Sequence, residues 1–499
     1  MRIWPKLKKR DWYILLAFTL VYFALNLSKL TDLPIFVDES IYLRWAQIAW
    51  HDPSWRFISL TDGKQPLYIW FVIPFMKYIA DPLVAGRVAS VVAGYFTLLG
   101  SGYSAYLLKN KKLALIVMLF VLTSPYIFFY NRFAVMESLL TAYGVWILAI
   151  SVLLAKYKRL DLTMILGFFL GFGMLVKSSA LFFIILSPVA YLLYPNHKPL
   201  FSKQTIRYLL LILVACGIAT LIYNVQRLSP WMSVISEKNA SFTVPYREIF
   251  SHPDRLWSNS MKIINWHFAY STIPISLLTL VGFYLLARTN LSLFIVLLLW
   301  VGVQLGGTVA IAKFYAPRYI SFITPFILIV AAYGISIIKN SKQLFITTLL
   351  VLVLPTSLLI KLITDPFNYP YVKTDEGYVN GWSAGNGTKQ IADWAVSRTN
   401  TTNKPMIIFT EGTFGILPHG LELYTDARAP ALTIRGLYPI TTIPPLETLE
   451  SVTTNPETYL ILNNTQTTGS QPGLELVSEY PKKDPAYSMR LYRVLPIEK

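Results

Sequence analysis

The 499-residue chain is 54% hydrophobic, 15% aromatic and only 14% charged, and its formal net charge is +18. Soluble domains are roughly one quarter charged, and the mean hydropathy of +0.49 indicates that most of this chain lies in lipid. Its basic residues stand in short segments between apolar runs rather than on one hydrated face, which argues against nucleic acid as the main partner. The single cysteine, Cys216, excludes a disulfide framework.

The balance of charge divides the chain at residue 364, where the last long apolar run ends. Residues 1–364 contain 33 basic and 12 acidic residues, whereas residues 365–499 contain 11 and 14. We therefore expect a transmembrane domain over 1–364, with large loops at 30–81 and 225–267, and a small hydrated domain over 365–499.

The first part contains about eleven apolar runs that are long enough to cross a hydrocarbon core as helices, at about 1.5 Å per residue. The segment 66–80 is too short for a span, and we expect it to form a helix at the interface. The predicted spans are 12–29, 82–108, 113–130, 134–155, 162–176, 178–194, 206–224, 268–287, 291–312, 319–338 and 343–362.

Basic residues predict the orientation of these helices. With the N-terminus inside, the cytoplasmic connections hold 17 basic and only two acidic residues, as expected for loops on that side. An odd number of spans then places the loops 30–81 and 225–267 and the C-terminal domain outside. We expect a multi-pass protein of the plasma membrane whose first helix is an uncleaved signal anchor.

The C-terminal residues have the composition of a small α/β domain. Helical patterns occur at 387–398 and 445–453, and strand patterns separate and follow them. The predicted strands are 406–410, 459–463, 474–480 and 489–494.

Candidate chemistry begins with the adjacent acids Asp38 and Glu39 in the first outer loop. Neighbouring carboxylates repel each other, which favours a group that can take or share a proton. The alternative is that both acids cap the N-terminus of a helix starting near Ser40, where acids are favourable.

Four cations are also predicted on the outer side: Lys64, Arg132, Lys177 and Arg318. Together they would give a lipid-phosphate pocket several donors, because arginine binds phosphate in a bidentate manner and a lysine at a helix N-terminus adds charge. The alternatives are that Lys64 extends to lipid headgroups and that Arg132 pairs with Glu137 at the membrane surface.

These segments, in this order, resemble the GT-C glycosyltransferases, in the branch that contains protein O-mannosyltransferases (glycosyltransferase family 39) and the lipid A aminoarabinose transferase. The resemblance covers about three quarters of the chain. The hairpin before Lys177 and the pair Arg318-Tyr319 are also similar to that branch. The main matching positions are Asp38-Glu39 and Tyr42, then Lys64-Gln65-Pro66-Leu67 with one proline of the pattern replaced, then Arg132 and Glu137.

The resemblance implies inverting transfer of a monosaccharide from a polyprenyl-phosphate carrier to an acceptor protein, lipid or glycan on the outer face. It implies that Asp38 is the general base and that Glu39 shapes this base or contacts the sugar. Tyr42 and Glu137 would support the site. Phosphate binding is implied for Lys64 and Arg132, with Arg318 and Lys177 as further candidates.

Departures from the relatives leave the acceptor open. The loop 225–267 is too short for the β-trefoil of eukaryotic protein mannosyltransferases. In the C-terminal domain, Tyr378 and Trp382 are candidates to stack on a sugar, and the alternative is a packed linker. No cofactor is expected, because the outer loops contain no Asp-x-Asp and their histidines lack ligand spacing. A loosely bound divalent cation at the acidic pair stays open.

Other classes of protein explain the sequence less well. A transporter would place ionisable residues at mid-membrane on broken helices, and such charges are nearly absent. An oligosaccharyltransferase would be expected to carry Asp-x-Asp and a Trp-Trp-Asp-type site, and neither occurs. A non-catalytic receptor or assembly scaffold remains as an alternative, although the acid pair and Arg132 are intact.

Overall fold

The computed structural model describes residues 7–194, 202–402, 404–426, 428–467 and 469–496. Segments 1–6 and 195–201, which belong to predicted cytoplasmic connections, lie outside the described residues. The chain packs as two compact units. The helical unit comprises the described parts of Met1–Lys29, Arg56–Phe71 and Arg87–Asp365, and the sheet unit comprises those of Leu30–Trp55, Val72–Gly86 and Pro366–Lys499.

The part of the chain up to residue 364 is almost entirely helical. Short 3-10 turns connect several of the α-helices. The α-helices found among the described residues of this part are α1 Lys9–Leu27, α2 Val37–His51, α3 Leu67–Tyr78, α4 Pro82–Leu108, α5 Lys111–Thr123, α6 Pro125–Asn131, α7 Met136–Tyr157, α8 Leu160–Val176, α9 Leu181–Leu186, α10 Lys203–Tyr223, α11 Val234–Phe242, α12 Pro253–Ser271, α13 Ile273–Thr289, α14 Leu291–Ile311, α15 Thr324–Ser336 and α16 Ser341–Thr364.

Six helical segments of the described chain are long and apolar enough to cross a membrane, or eight if each of two bent pairs is one span. This number is smaller than the predicted eleven. The predicted span 113–130 bends by 60° between α5 and α6, where Pro125 begins a new helix. The predicted span 268–287 bends by 112° between α12 and α13, at Thr272 with a φ of 73°. Two other predicted spans, 162–176 and 178–194, are shorter apolar helices.

The spans differ in how much of their surface the protein itself covers. Of the 18-residue apolar stretch in each span, 89% is buried in α7 and 94% in the segment Pro317–Ser336. The buried share is 28% in the spans that contain α10, α14 and α16. Spans with little burial have apolar surface left for lipid. The helix α7 and the segment ending in α15 therefore form the core of the helical unit.

Close backbone contact joins two helices of this unit. Gly282 of α13 lies against α15, and a Cβ atom at that position would overlap the carbonyl oxygen of Val330. Small residues allow such approach, which matters in lipid because apolar burial alone gives little driving force for helix association. By contrast, a Cβ atom on Gly302 of α14 would meet nothing within 4 Å.

The sheet unit contains a five-stranded mixed sheet in the order β4-β3-β5-β7-β6. Strands β4, β3 and β5 are parallel, and β7 and β6 continue the sheet antiparallel to their neighbours. All four predicted strands are confirmed, and β4 is an additional strand. The elements are β1 Ile35–Phe36, β2 Ala384–Gly385, β3 Met406–Glu411, β4 Leu432–Leu437, β5 Thr458–Leu462, β6 Leu474–Pro481, β7 Ser488–Val494, α17 Thr388–Thr402, α18 Leu421–Thr425 and α19 Leu446–Thr454.

Helices cover both faces of this sheet. On one face, Val452 of α19 packs in a core with Phe409 and Leu460. On the other face, Trp394 of α17 lies 4.9 Å from the ring of Tyr459. The chain runs from β3 to β4 on one side and then back past β3 to β5. The loops that follow β3 and β5 therefore part in opposite directions, which opens a crevice at the carboxyl ends of these strands.

Part of the first predicted outer loop belongs to the sheet unit, so the compact units do not coincide with the predicted division at residue 364. Ile35 and Phe36 of β1 pair with Gly385 and Ala384 of β2. The first helix of the loop, α2, forms ion pairs with the C-terminal part of the sheet unit through Arg44. Its Nε lies 3.3 Å from Oε2 of Glu422, and its Nη1 lies 2.6 Å from Oδ2 of Asp426. Such pairing across more than 340 residues leaves no local pattern, and hydropathy alone did not reveal it.

Candidate functional site: a cation cluster and an acidic helix start

The helical unit contains a buried ion pair at the start of its core helix α7. Glu137 is the second residue of α7 and is 4% exposed. Lys177 caps the C-terminus of α8 with an extended backbone, and its Nζ lies 2.7 Å from Oε1 of Glu137. This ion pair holds the Lys177 ammonium at the start of α7.

A second cation shares an aromatic neighbour with Lys177. The Lys177 Nζ lies 4.6 Å from the centroid of the Tyr319 ring, and the Arg318 guanidinium lies 5.1 Å from the same centroid. Aromatic faces attract cations at these distances. Both cations are half-buried. Two of the four predicted phosphate ligands therefore lie beside one aromatic ring: Lys177 at the end of α8 and Arg318 at the start of the Pro317–Ser336 segment.

The segment that carries Lys64 is joined to the same region. Gln65 Nε2 donates a hydrogen bond of 2.6 Å to the hydroxyl of Ser178, the residue after Lys177. The Lys64 Nζ lies 5.8 Å from the ring centroid of Phe242, and so does the Nζ of Lys238. Three of the predicted cations therefore belong to neighbouring segments of one unit.

Lys238 is a cation of this region that the sequence reasoning missed. Its Nζ lies 2.5 Å from Oδ1 of Asp62, in the same loop as Lys64. The available signal was the spacing from Lys238 to Phe242 on α11, because residues four apart on a helix are neighbours and a lysine can then lie over an aromatic ring.

Arg132 holds the end of the first helix. It caps α6, and its Nη2 donates to the carbonyl oxygens of Ser28 at 2.7 Å and Lys29 at 2.6 Å. These carbonyls follow the last turn of α1, where a cation is favourable. Arg132 is thus in the helical unit with the other cations.

The acidic pair opens α2 in the sheet unit. The backbone N–H of Phe36 donates to Oε2 of Glu39 at 2.9 Å, and Glu39 is fully buried. For Glu39 the structure therefore shows the helix-capping interaction that was the alternative to catalysis. Asp38 is half-buried on the first turn of the same helix, so the two neighbouring carboxylates have different environments.

Aromatic packing holds this helix start. Tyr42 is buried, with its ring 5.9 Å from that of Trp45, and Phe36 stacks on Tyr378 at 4.1 Å. Tyr378 is 2% exposed, which agrees with the packed-linker alternative, whereas Trp382 is 57% exposed. Of the two predicted sugar-stacking residues, Trp382 is the one with a face open to a ligand.

The described residues contain no group of three or more His, Cys, Asp or Glu side chains that could hold a metal ion. The acidic pair at the start of α2 contributes only two carboxylates, and one of them, Glu39, accepts a backbone hydrogen bond.

Comparison with solved structures identifies the fold. ArnT from Cupriavidus metallidurans in the apo state is similar with a TM-score of 0.59 and 13% identity, over 98% of each chain. The same protein bound to undecaprenyl phosphate gives 0.57 and 12%, over 99% of this chain and 100% of that one. The oligosaccharyltransferase of Archaeoglobus fulgidus, in complex with Zn and sulfate, gives 0.51 and 11%, over 90% and 68%. No family model and no curated protein sequence matches the chain.

These likenesses define a class of fold. The chain has the GT-C fold, as the resemblance of its motifs implied, with a multi-pass helical membrane part and a C-terminal sheet domain. Its fold is similar to that of ArnT, the lipid A aminoarabinose transferase, along nearly the whole length of both chains.

Proposed function

We propose that the protein is an inverting membrane glycosyltransferase that uses a polyprenyl-phosphate-linked monosaccharide. The observation that carries this proposal is the placement of Lys177, at the end of α8, and Arg318, at the start of the segment Pro317–Ser336, around the ring of Tyr319. Charges at membrane depth are costly to keep and usually serve function. The fold is shared with ArnT, which has been crystallised with undecaprenyl phosphate.

The cations would bind the donor phosphate and stabilise its departure. Lys177 and Arg318 supply two positive charges beside one aromatic ring, and Lys64 lies on a neighbouring segment. Charge-assisted hydrogen bonds to phosphate are strong, and fixed cations stabilise the negative charge that develops on a leaving phosphate. Glu137 would position Lys177, and Arg132 would contribute from the end of α6.

Asp38 would act as the general base. It takes the proton of the acceptor hydroxyl while the oxygen attacks the anomeric carbon. The bond from that carbon to the phosphate oxygen breaks, and the lipid phosphate leaves with the electron pair on the opposite face, so the configuration inverts. Glu39 would position this base by holding the start of α2, and Tyr42 would support the helix by packing.

The distribution of charge along the chain supports an orientation of the protein in the membrane. We propose that the N-terminus is cytoplasmic and that α2 and the sheet unit lie on the outer face of the plasma membrane, with a protein, lipid or glycan as acceptor. Protein cations, rather than a metal, would neutralise the phosphate. Activity that survives EDTA supports this view, and loss of activity that magnesium restores indicates a divalent cation at Asp38 and Glu39.

The test is release of sugar from the lipid carrier. Wild type and Asp38→Asn are purified in detergent and supplied with polyprenyl-phosphate mannose, glucose, galactose or aminoarabinose, together with a membrane fraction as acceptor. We expect release by the wild type and a loss of about 10²–10⁴-fold in the variant. Asp52→Asn is the matched control, because Asp52 is an exposed carboxylate of the same loop. Absence of release in all proteins would favour a non-catalytic scaffold.

A further inference from the structure

The sheet unit contains a crevice that the proposed transfer chemistry does not use. It lies at the carboxyl ends of the parallel strands β3, β4 and β5 and has a volume of about 450 Å³. Its walls are the loops that follow these strands, at 412–417, 438–440 and 463–465. Ligands of open α/β sheets bind at this edge, where the loops part, and the volume is within the range of small-molecule sites.

Three large aromatic side chains line the crevice and remain open to solvent. Trp382, Phe414 and Tyr438 are 57%, 49% and 79% exposed. Single exposed aromatics are ordinary, but a group of them at one concave site indicates a binding surface. Their rigid rings lose little conformational entropy when a ligand packs on them. Flat apolar faces of this kind suit the C–H faces of sugar rings.

A carboxylate fixes one wall of the crevice. Glu411, at the end of β3, accepts backbone hydrogen bonds from Asn463 at 2.8 Å, Asn464 at 2.7 Å and Thr465 at 2.9 Å. It also accepts from the Thr465 hydroxyl. With these contacts Glu411 holds the loop after β5 in place, and the exposed residue Asn464 of that loop lines the crevice. The wall is therefore preorganised for a ligand.

A second polar network fixes Trp382. The Asn463 side chain donates a hydrogen bond of 2.8 Å to the Trp382 carbonyl, and Lys482 Nζ donates one of 2.7 Å to Asn463 Oδ1. Burial lowers the pKa of Lys482 to about 8, although the negative charge of Glu411 acts in the opposite direction. These polar contacts thus hold the loop 463–465 and the backbone of Trp382 together.

We propose that this crevice binds a saccharide. Trp382, Tyr438 and Phe414 pack against sugar rings, and polar groups of the loops, including Asn464, hydrogen-bond the hydroxyls. The exposed polar residue Asn464 and the concave shape favour a saccharide over a lipid surface, since a membrane contact would be a convex apolar patch with basic residues around it. The site binds without a donor or a reaction, so the proposal stands independently of the proposed sugar transfer.

The test is direct binding by the full-length protein. Fluorescently labelled wild type in detergent is applied to an array of neutral, amino and acidic oligosaccharides, and the apparent affinity for the best binder is measured. The double variant Trp382→Ala/Tyr438→Ala should lose at least about tenfold in affinity. The control is Trp55→Ala/Tyr487→Ala, since both of these residues are also in the sheet unit and are 41% exposed. Its affinity should equal that of the wild type.

Three results would overturn the proposal. The first is that the wild type binds no oligosaccharide of the array, and the second is that the double variant binds as well as the wild type. The third concerns lipid: quenching by brominated lipid that is weaker in Trp382→Phe than in the wild type would assign Trp382 to the membrane surface. Because the substituted side chains are exposed, we expect all variants to have the melting temperature of the wild type. Equal melting temperatures would show that the fold is intact.

Discussion

Two charged sites, one in the helical unit and one in the sheet unit, are held by different kinds of contact. In the helical unit, Glu137 has a cation as its partner, Lys177, and this pair lies at the start of a core helix. In the sheet unit, Glu411 and Lys482 are held mainly by backbone and amide groups. Glu137 thus holds another charged side chain in place, whereas the half-buried Glu411 holds a loop.

The two units also differ in how their elements pack. Lipid is as apolar as a helix surface, so α13 and α15 associate through a close backbone contact at Gly282. The sheet unit instead buries an apolar core of Phe409, Leu460 and Val452 away from water. We expect the stability of the helical unit to depend most strongly on side-chain size at helix contacts. We expect the stability of the sheet unit to depend on pH.

The largest effect is expected from Gly282→Ala. The added methyl group would overlap the Val330 carbonyl, which is backbone and cannot move independently of α15, and the cost should be about 3 kcal/mol. Gly302→Ala is the control: with open space around its Cβ it should be neutral or stabilise by up to about 1 kcal/mol. Thermal unfolding in detergent measures both, and equal melting temperatures would contradict the packing comparison.

The next effect concerns the buried pair of the helical unit. Lys177→Met removes the ammonium group that lies 2.7 Å from Glu137, and we expect a loss of about 2 kcal/mol in stability. Lys177→Met/Glu137→Gln should recover most of the stability, because the charge that Lys177 balances is removed as well. If Lys177 binds the donor phosphate, the double variant should regain stability but should bind undecaprenyl phosphate more weakly than the wild type. Recovery of both properties would make Lys177 purely structural.

In the sheet unit, Lys482 should make stability depend on alkaline pH. Its pKa is lowered to about 8 in the folded state, from 10.5, chiefly by burial. Between these values the unfolded chain binds more protons, so the stability of the sheet unit should rise with pH, by up to about 3 kcal/mol. Lys482→Met should remove this rise. Scanning fluorimetry at pH 7 and 10 tests it, and a rise of the same size in the variant would be inconsistent with this origin.

The smallest effect is expected at an ion pair of the same unit. The hydrogen bond from Arg398 lowers the pKa of Glu457, with a further contribution from Tyr459. Its stabilisation is complete above the ordinary glutamate pKa and is lost as the pH falls through the lowered pKa. Arg398→Met should cost about 1 kcal/mol at pH 7, because the pair is partly screened by solvent, and less at acidic pH.

The control for this pair is Arg428→Met, which breaks an exposed contact with Asp393. It should cost about 0.5 kcal/mol or less. Chemical unfolding of each protein at pH 7 and pH 3 makes the comparison. An Arg398→Met cost that does not change with pH would show that packing, rather than charge, accounts for it.

The elements of the sheet unit were largely predictable from sequence. Strands β3, β5, β6 and β7 agree with their predictions within two residues at either end, because buried apolar strand patterns are local. Strand β4 was missed since it lies at the edge of the sheet, is only half-buried and contains Gly436. The membership of α2 in this unit depends on β1 pairing with β2, which no local pattern shows.

The candidate site was predictable in its residue types and less so in its contacts. Charges near apolar runs are conspicuous, so the sequence alone makes Lys177, Arg318 and Glu137 candidates. The ion pair between Lys177 and Glu137 spans 40 residues and depends on how α7 and α8 pack. Glu411 was missed because an acid at a strand end looks like an ordinary surface residue until the loop after β5 is placed around it.

One measurement separates the roles of the acid and the cations most directly. Equilibrium binding of radiolabelled undecaprenyl phosphate and single-turnover release of sugar are measured on the same preparations of wild type, Asp38→Asn and Lys177→Met/Glu137→Gln. We predict that Asp38→Asn binds the lipid like the wild type but releases sugar about 10²–10⁴-fold more slowly, while the double variant binds the lipid poorly. Wild-type release by Asp38→Asn would contradict the assignment of Asp38 as the base.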